Sequence, residues 1–298
     1  MKKAIRFSIV VWLFSWAVMG ATHWGLGISP LETPEKFRIL AVVCMFFPML
    51  TALVLQAIDK EKFNKAGLVN FKVSWPWLVA WLLPVVMVFA CLFVNGLFPG
   101  VELQFTNEQL VGQQGIFGGK QDLSTLPFGI LLLSTVFSAL LAGITINALI
   151  SFGEEYGWRC YLVDALREVK FWKAALFIGV VWGLWHFPLI LMGFNYVNEP
   201  YWGMLLMVVM STLLCVIILY FVLKAKSMIV AAIIHGTFNA IGGLAIFFLQ
   251  GGNVFLNGMT GLAGFIVMAV TILCIWAYDK YISKDNICSM TLDEALER

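Results

Sequence analysis

Charge is scarce in this chain. Asp, Glu, Lys and Arg make up 12 % of its 298 residues, whereas 61 % are hydrophobic. A soluble domain of this size cannot clothe its surface with so little charge, so that class is excluded. The six cysteines (Cys44, Cys91, Cys160, Cys215, Cys274 and Cys288) include no CxxC pair and fall mostly inside apolar runs. That argues against a disulfide framework or a thiolate zinc site and leaves them as small packing residues. No HExxH sequence, low-complexity tract or clear internal repeat occurs. The net charge of +2 is too small for a nucleic-acid footprint, and no nucleic-acid partner is expected.

Long apolar runs are abundant. Stretches of 18 or more apolar residues read as membrane-spanning helices. Eight are found, at about 8–28, 39–58, 77–98, 128–151, 173–193, 203–223, 228–249 and 261–280. The fold class is therefore all-α: a polytopic membrane protein of about eight transmembrane helices, with residues 1–298 forming one integral membrane domain. Lys2, Lys3 and Arg6 precede the first run, which is too long for the apolar core of a signal peptide and reads as a retained helix. With the N-terminus inside, 16 of the 19 basic residues fall in inner segments and 3 in outer ones. This bias places both termini in the cytoplasm of, as the compact chain suggests, a prokaryotic plasma membrane. The polar loop over about 99–127 reads as an outer connector. The closing TLDEALER reads as a short soluble helix with a Thr291–Glu294 capping box.

Against this background the segment GEEYGWR, residues 153–159, stands out. It closes the fourth apolar run, and ionisable groups near membrane depth are functional candidates. Glu155 and Arg159 are four residues apart with the acid first, the favourable order for an ion pair. Glu154 lies about 100° around the helix, so the division of labour is a supporting Glu155–Arg159 pair and a Glu154 that faces a cavity. Two of the three histidines fall in the middle of apolar runs: His186 in the fifth and His235 in the seventh. His235 and Asn239, four apart, share one helix face. Gly179 and Gly183 form a small-residue seam suited to close helix packing, and Pro188 breaks the backbone ladder beside His186. His23, beside Trp24 at the end of the first run, reads as interfacial.

A cavity holding Glu154, His186, His235 and Asn239, open on the cytoplasmic side, has the groups for hydrolysis. Glu154 activates water with help from His186, while His235 and Asn239 stabilise the oxyanion. No cofactor is needed in this reading. A catalytic zinc held by Glu154, His186 and His235 is the alternative that the same residue types allow. A proton-coupled transporter ranks lower, since neither repeats nor paired broken helices are visible.

At these residues the chain resembles the CPBP family (CAAX protease and bacteriocin-processing, also called Abi) of intramembrane proteases, including the type II CAAX prenyl endopeptidases. EEYGWR resembles the EExxxR signature, WGLWHFP the aromatic-rich motif that ends in His, and HGTFN the HxxxN motif, all within residues 150–240. The resemblance implies an endopeptidase acting on a membrane-associated peptide or lipidated protein at the bilayer. It implies Glu154 and His186 as water activators, His235 and Asn239 as the oxyanion pair, and Glu155 with Arg159 as supports. Cys160 stands where many relatives have Gly, a change expected to alter packing. Since family members also serve bacteriocin self-immunity, a non-catalytic membrane immunity or scaffold protein is the alternative.

Overall fold

The computed structural model describes residues 1–110 and 126–298. Much of the connector expected over 99–127 therefore lies outside the described residues. The rest is mostly helical with almost no strand, in agreement with an all-α polytopic fold. Helix α1 is Lys2–Leu26, α2 Pro34–Cys44, α3 Phe47–Ile58 and α4 Trp75–Asn95. Two three-residue strands, β1 (Val101–Leu103) and β2 (Leu249–Gly251), pair antiparallel. Helix α5 (Phe128–Ile144) is followed by α6 (Ile146–Glu155), which continues through a π-helical segment, Tyr156–Tyr161, into α7 (Leu162–Ala165). Then come α8 (Phe171–Trp185), α9 (Phe187–Leu191), α10 (Pro200–Ala225), α11 (Ile229–Ile241), α12 (Leu244–Phe247), α13 (Leu262–Ala277) and α14 (Leu292–Glu297). Proline opens the first turn of α2, α3, α4 and α10, where its missing N–H costs no helical bond.

All eight apolar runs are helical, but they are not equally long. Among the described residues, six helices are long and apolar enough to cross a membrane, or seven if the bent pair 128–144 and 146–165 counts as one span. The expectation of about eight is reduced by the fifth run. Its helix α8 stops at Trp185, and a new helix begins at Phe187. The break falls at His186, where Pro188 removes the amide that would have continued the ladder. The fourth run bends by 45° at Thr145. It does not end at GEEYGWR as expected, because helical backbone runs on to Ala165. Glu154 thus lies about 16 Å along the helix from Ala165, at 1.5 Å per residue.

Side-chain ties place both termini on one face of the bundle. Lys3 bonds Glu61 and, at 3.1 Å, Asp164. Arg167 bonds Asp293 at 3.0 Å, and Lys224 pairs with Asp285. The Thr291–Glu294 capping box forms as expected, and the Thr291 amide holds the Glu294 carboxyl below the usual range. The outward faces of the outer helices remain apolar, with Leu13, Val54, Val86, Leu133 and Val270 all exposed. Such faces suit hydrocarbon rather than water. Helices α10 and α11 are the central ones, about two-thirds buried or more where the outer spans are less than half buried.

The seam on α8 packs as its spacing predicts. A Cβ on Gly179 would meet the Thr212 Cα at 2.5 Å, and one on Gly183 the Val208 Cα at 2.6 Å. Backbone therefore touches backbone between α8 and α10. Gly183→Leu is expected to cost about 1–3 kcal/mol through overpacking. Thermal unfolding in detergent would show it as a lowered midpoint.

Candidate active site

Glycine also sets the position of the carboxylates. Gly153 and Gly157 flank them; a Cβ on Gly153 would strike the Met45 carbonyl between α2 and α3 (2.7 Å), and one on Gly157 the Pro48 Cβ in the first turn of α3 (2.6 Å). On the other side, α11 crosses α6 at Gly236, whose Cβ would lie 2.7 Å from the Ala148 amide. The Asn147 amide donates to the Gly236 carbonyl at 3.1 Å across that crossing. These close approaches bring α11 near enough for His235 to reach Glu155. The spacing of Gly153 and Gly157 is the same small-residue signal as at Gly179 and Gly183. It passes unused when attention falls on the charges between them.

The two adjacent carboxylates have different partners. Glu155 and Arg159 are fully buried and joined at 3.0 Å, as their spacing predicts. The same Glu155 oxygen lies 2.8 Å from His235 Nδ1, a contact that no sequence spacing announces. A carboxylate only accepts, so Nδ1 carries the hydrogen and the neutral ring presents its lone pair at Nε2. Glu154, 2 % exposed, instead turns one oxygen to two indoles. Its Oε2 accepts from Trp182 Nε1 at 2.7 Å and from Trp158 Nε1 at 3.3 Å. His186 Nδ1 donates to the Trp182 carbonyl at 2.9 Å, which again leaves Nε2 as the acceptor of the neutral ring. The helix around these groups is π-wound from Tyr156 to Tyr161, a distortion frequent at functional sites.

Glu154, His186, His235 and Asn239 line one cavity of about 600 Å³, with Trp182, Trp185, Phe238 and four methionines among its walls. Glu155 and Arg159 are fully buried and do not line that cavity. The lining continues to Asn195, Met259 and Thr260, in connections on the face opposite the termini. On the termini's side, Trp158 and Trp185, both fully buried, meet edge to face, and Phe7 meets Trp158 edge to face and lies tilted against Tyr161. A second groove of about 860 Å³ lies between α2 and α6 and shares Ala41, Met45, Phe194 and Asn239 with the cavity. It is lined further out by Pro34, Phe37, Arg38 and Ile150.

The zinc alternative fits poorly. Among the described residues, no group of three or more His, Cys, Asp or Glu side chains converges as a metal would require, and Glu154, His186 and His235 form no such group. His23, also outside the site, bonds the Ile28 carbonyl through Nδ1 at 2.9 Å beside an exposed Trp24. The cysteines are all free, and Cys160 is buried in packing.

Residues 134–241 match the family described as type II CAAX prenyl endopeptidase Rce1-like. The chain is also similar to CAAX prenyl protease 2 of Methanococcus maripaludis, with 37 % identity over 92 residues, 29 % of this chain and 34 % of that protein. It therefore spans about a third of the length of this curated relative. The family match encloses Glu154, Glu155, Arg159, His186, His235 and Asn239.

Proposed function

We propose, from the premise that residues 134–241 are of the CPBP/Rce1-like family, that this chain is an intramembrane endopeptidase. Its substrate is a membrane-associated peptide or lipidated protein of the CAAX type, the class named for its relative. The observation that carries the reading is one cavity lined by Glu154 from α6, His186 from the break between α8 and α9, and His235 and Asn239 from α11. The groove between α2 and α6, which shares four lining residues with that cavity, supports access from the bilayer. The basic bias favours a cytoplasmic location for the face that carries the termini, in a prokaryotic plasma membrane.

Hydrolysis runs as follows. Glu154 takes a proton from water, with His186 Nε2 accepting the second water hydrogen bond. The hydroxide so formed attacks the scissile carbonyl carbon and gives a tetrahedral oxyanion. The Asn239 amide donates to that oxygen. His235 donates as well only as an imidazolium, because its Nδ1 hydrogen is already committed to Glu155. Collapse breaks the C–N bond, and the proton held by Glu154 passes to the departing amine. Neither electrons nor a metal need enter from elsewhere.

The test is cleavage of a farnesylated peptide ending in a CAAX sequence by the purified protein in lipid, read by mass spectrometry. The expected result is release of a C-terminal fragment, undiminished by EDTA, from protein in which elemental analysis finds no stoichiometric zinc. No cleavage would sink the substrate class, and chelator-sensitive cleavage with bound zinc would sink the metal-free route.

A further inference from the structure

One residue, Trp182, touches Glu154, Arg159, His186 and His235. The Trp182 indole N–H donates to Glu154 Oε2 at 2.7 Å. Its ring lies 4.3 Å beneath the Arg159 guanidinium and meets the His235 ring edge to face at 5.3 Å. Its carbonyl accepts from His186 Nδ1 at 2.9 Å. Trp182 itself is 2 % exposed, so none of these contacts competes with bulk water.

We infer that Trp182 is the positioning residue that assigns atoms to roles in this site, an inference that rests on the hydrolytic reading above. The argument is one of hydrogen-bond accounting. Both indoles fall on Oε2 of Glu154, which leaves Oε1 as the oxygen for water. A carboxylate held by one oxygen keeps its second lone-pair edge in a fixed direction, where a free one rotates. The Trp182 carbonyl accepts only, so it fixes the hydrogen of neutral His186 on Nδ1 and turns the Nε2 lone pair outward. The two groups proposed to activate water are thus oriented by opposite ends of one residue. Between them, its ring covers the cation of the buried support pair, where a desolvated cation–π contact is favourable. Trp158 reaches the same oxygen from a residue four along the same helix, at a longer 3.3 Å, and is the auxiliary donor.

Trp182→Phe separates these roles, because it keeps an aromatic ring and the backbone carbonyl and deletes the indole N–H along with part of the ring's volume. With a farnesylated CAAX peptide as probe, kcat is expected to fall about tenfold or more, the effect of losing a hydrogen bond to a charged group. KM should stay within about twofold, since the indole binds the base and not the substrate. Trp158→Phe should lower kcat less. An independent readout needs no substrate. In infrared difference spectra of protein carrying ¹³C-carboxyl glutamate, the Glu154 band, identified by its loss in Glu154→Gln, should shift in Trp182→Phe. An unshifted band with unchanged kcat overturns the inference, as does a loss confined to KM. A shifted band in a protein whose parent does not cut the probe supports the positioning role and counts against the substrate class instead.

Discussion

Glu154→Gln is expected to insert and fold as the parent does and to lose hydrolysis by about 10²–10⁴-fold, the range for removal of a general base. The substitution is isosteric, and an amide oxygen can still accept from Trp182 and Trp158, so the packing around residue 154 has no reason to change. What disappears is the capacity to take a proton from water. The measurement is single-turnover cleavage of the farnesylated peptide beside thermal unfolding of the same preparation. Undiminished cleavage would remove Glu154 from the mechanism. If an immunity phenotype survived the variant while cleavage did not, the two would be separate properties of the chain.

Arg159→Met is expected to be the most damaging single change to stability, at about 3–5 kcal/mol. Arg159 and Glu155 are fully buried, and taking away the cation leaves a carboxylate with only His235 facing it. Breaking a buried pair costs far more than replacing it whole. The double variant Glu155→Gln, Arg159→Met should therefore recover much of the thermal midpoint, because no lone charge remains. It should not recover hydrolysis, since His235 would have lost the carboxylate that accepts its Nδ1 hydrogen and orients its ring. A single variant as stable as the parent would show that the pair contributes to chemistry alone. Unfolding curves of the parent, both single variants and the double variant form the cycle that decides it.

Within one helix the sequence was a good guide to this site. The four-residue spacings of Glu155 with Arg159 and of His235 with Asn239, and the seam at Gly179 and Gly183, are all intrahelical relations, and each appears in the structure. Contacts between helices were less legible, because periodicity says which face a residue occupies but not what that face meets. The bond from His235 to Glu155 and the two indoles on Glu154 belong to this second kind. The extent of the fourth helix was misjudged for a related reason. Charges in GEEYGWR looked like the start of solvent, but each has a buried partner, and a paired charge need not end a helix. The break at His186 was foreshadowed by Pro188, although its effect on span length was not.

The C-terminal segment bears on how the molecule can be handled. Phe171 donates its amide to the Met290 carbonyl, Leu292 to that of Val169, and Asp293 to that of Arg167. Ile287 and Cys288 anchor to buried Asp279, and burial pushes the Cys288 thiol up to about 12. Residues 287–293 thus buckle the short connection between the helix that carries Glu154 and the helix that presents His186. Trimming the chain before Thr291, or placing a protease site there, would unfasten that buckle. A purification handle attached beyond Arg298 would leave it closed.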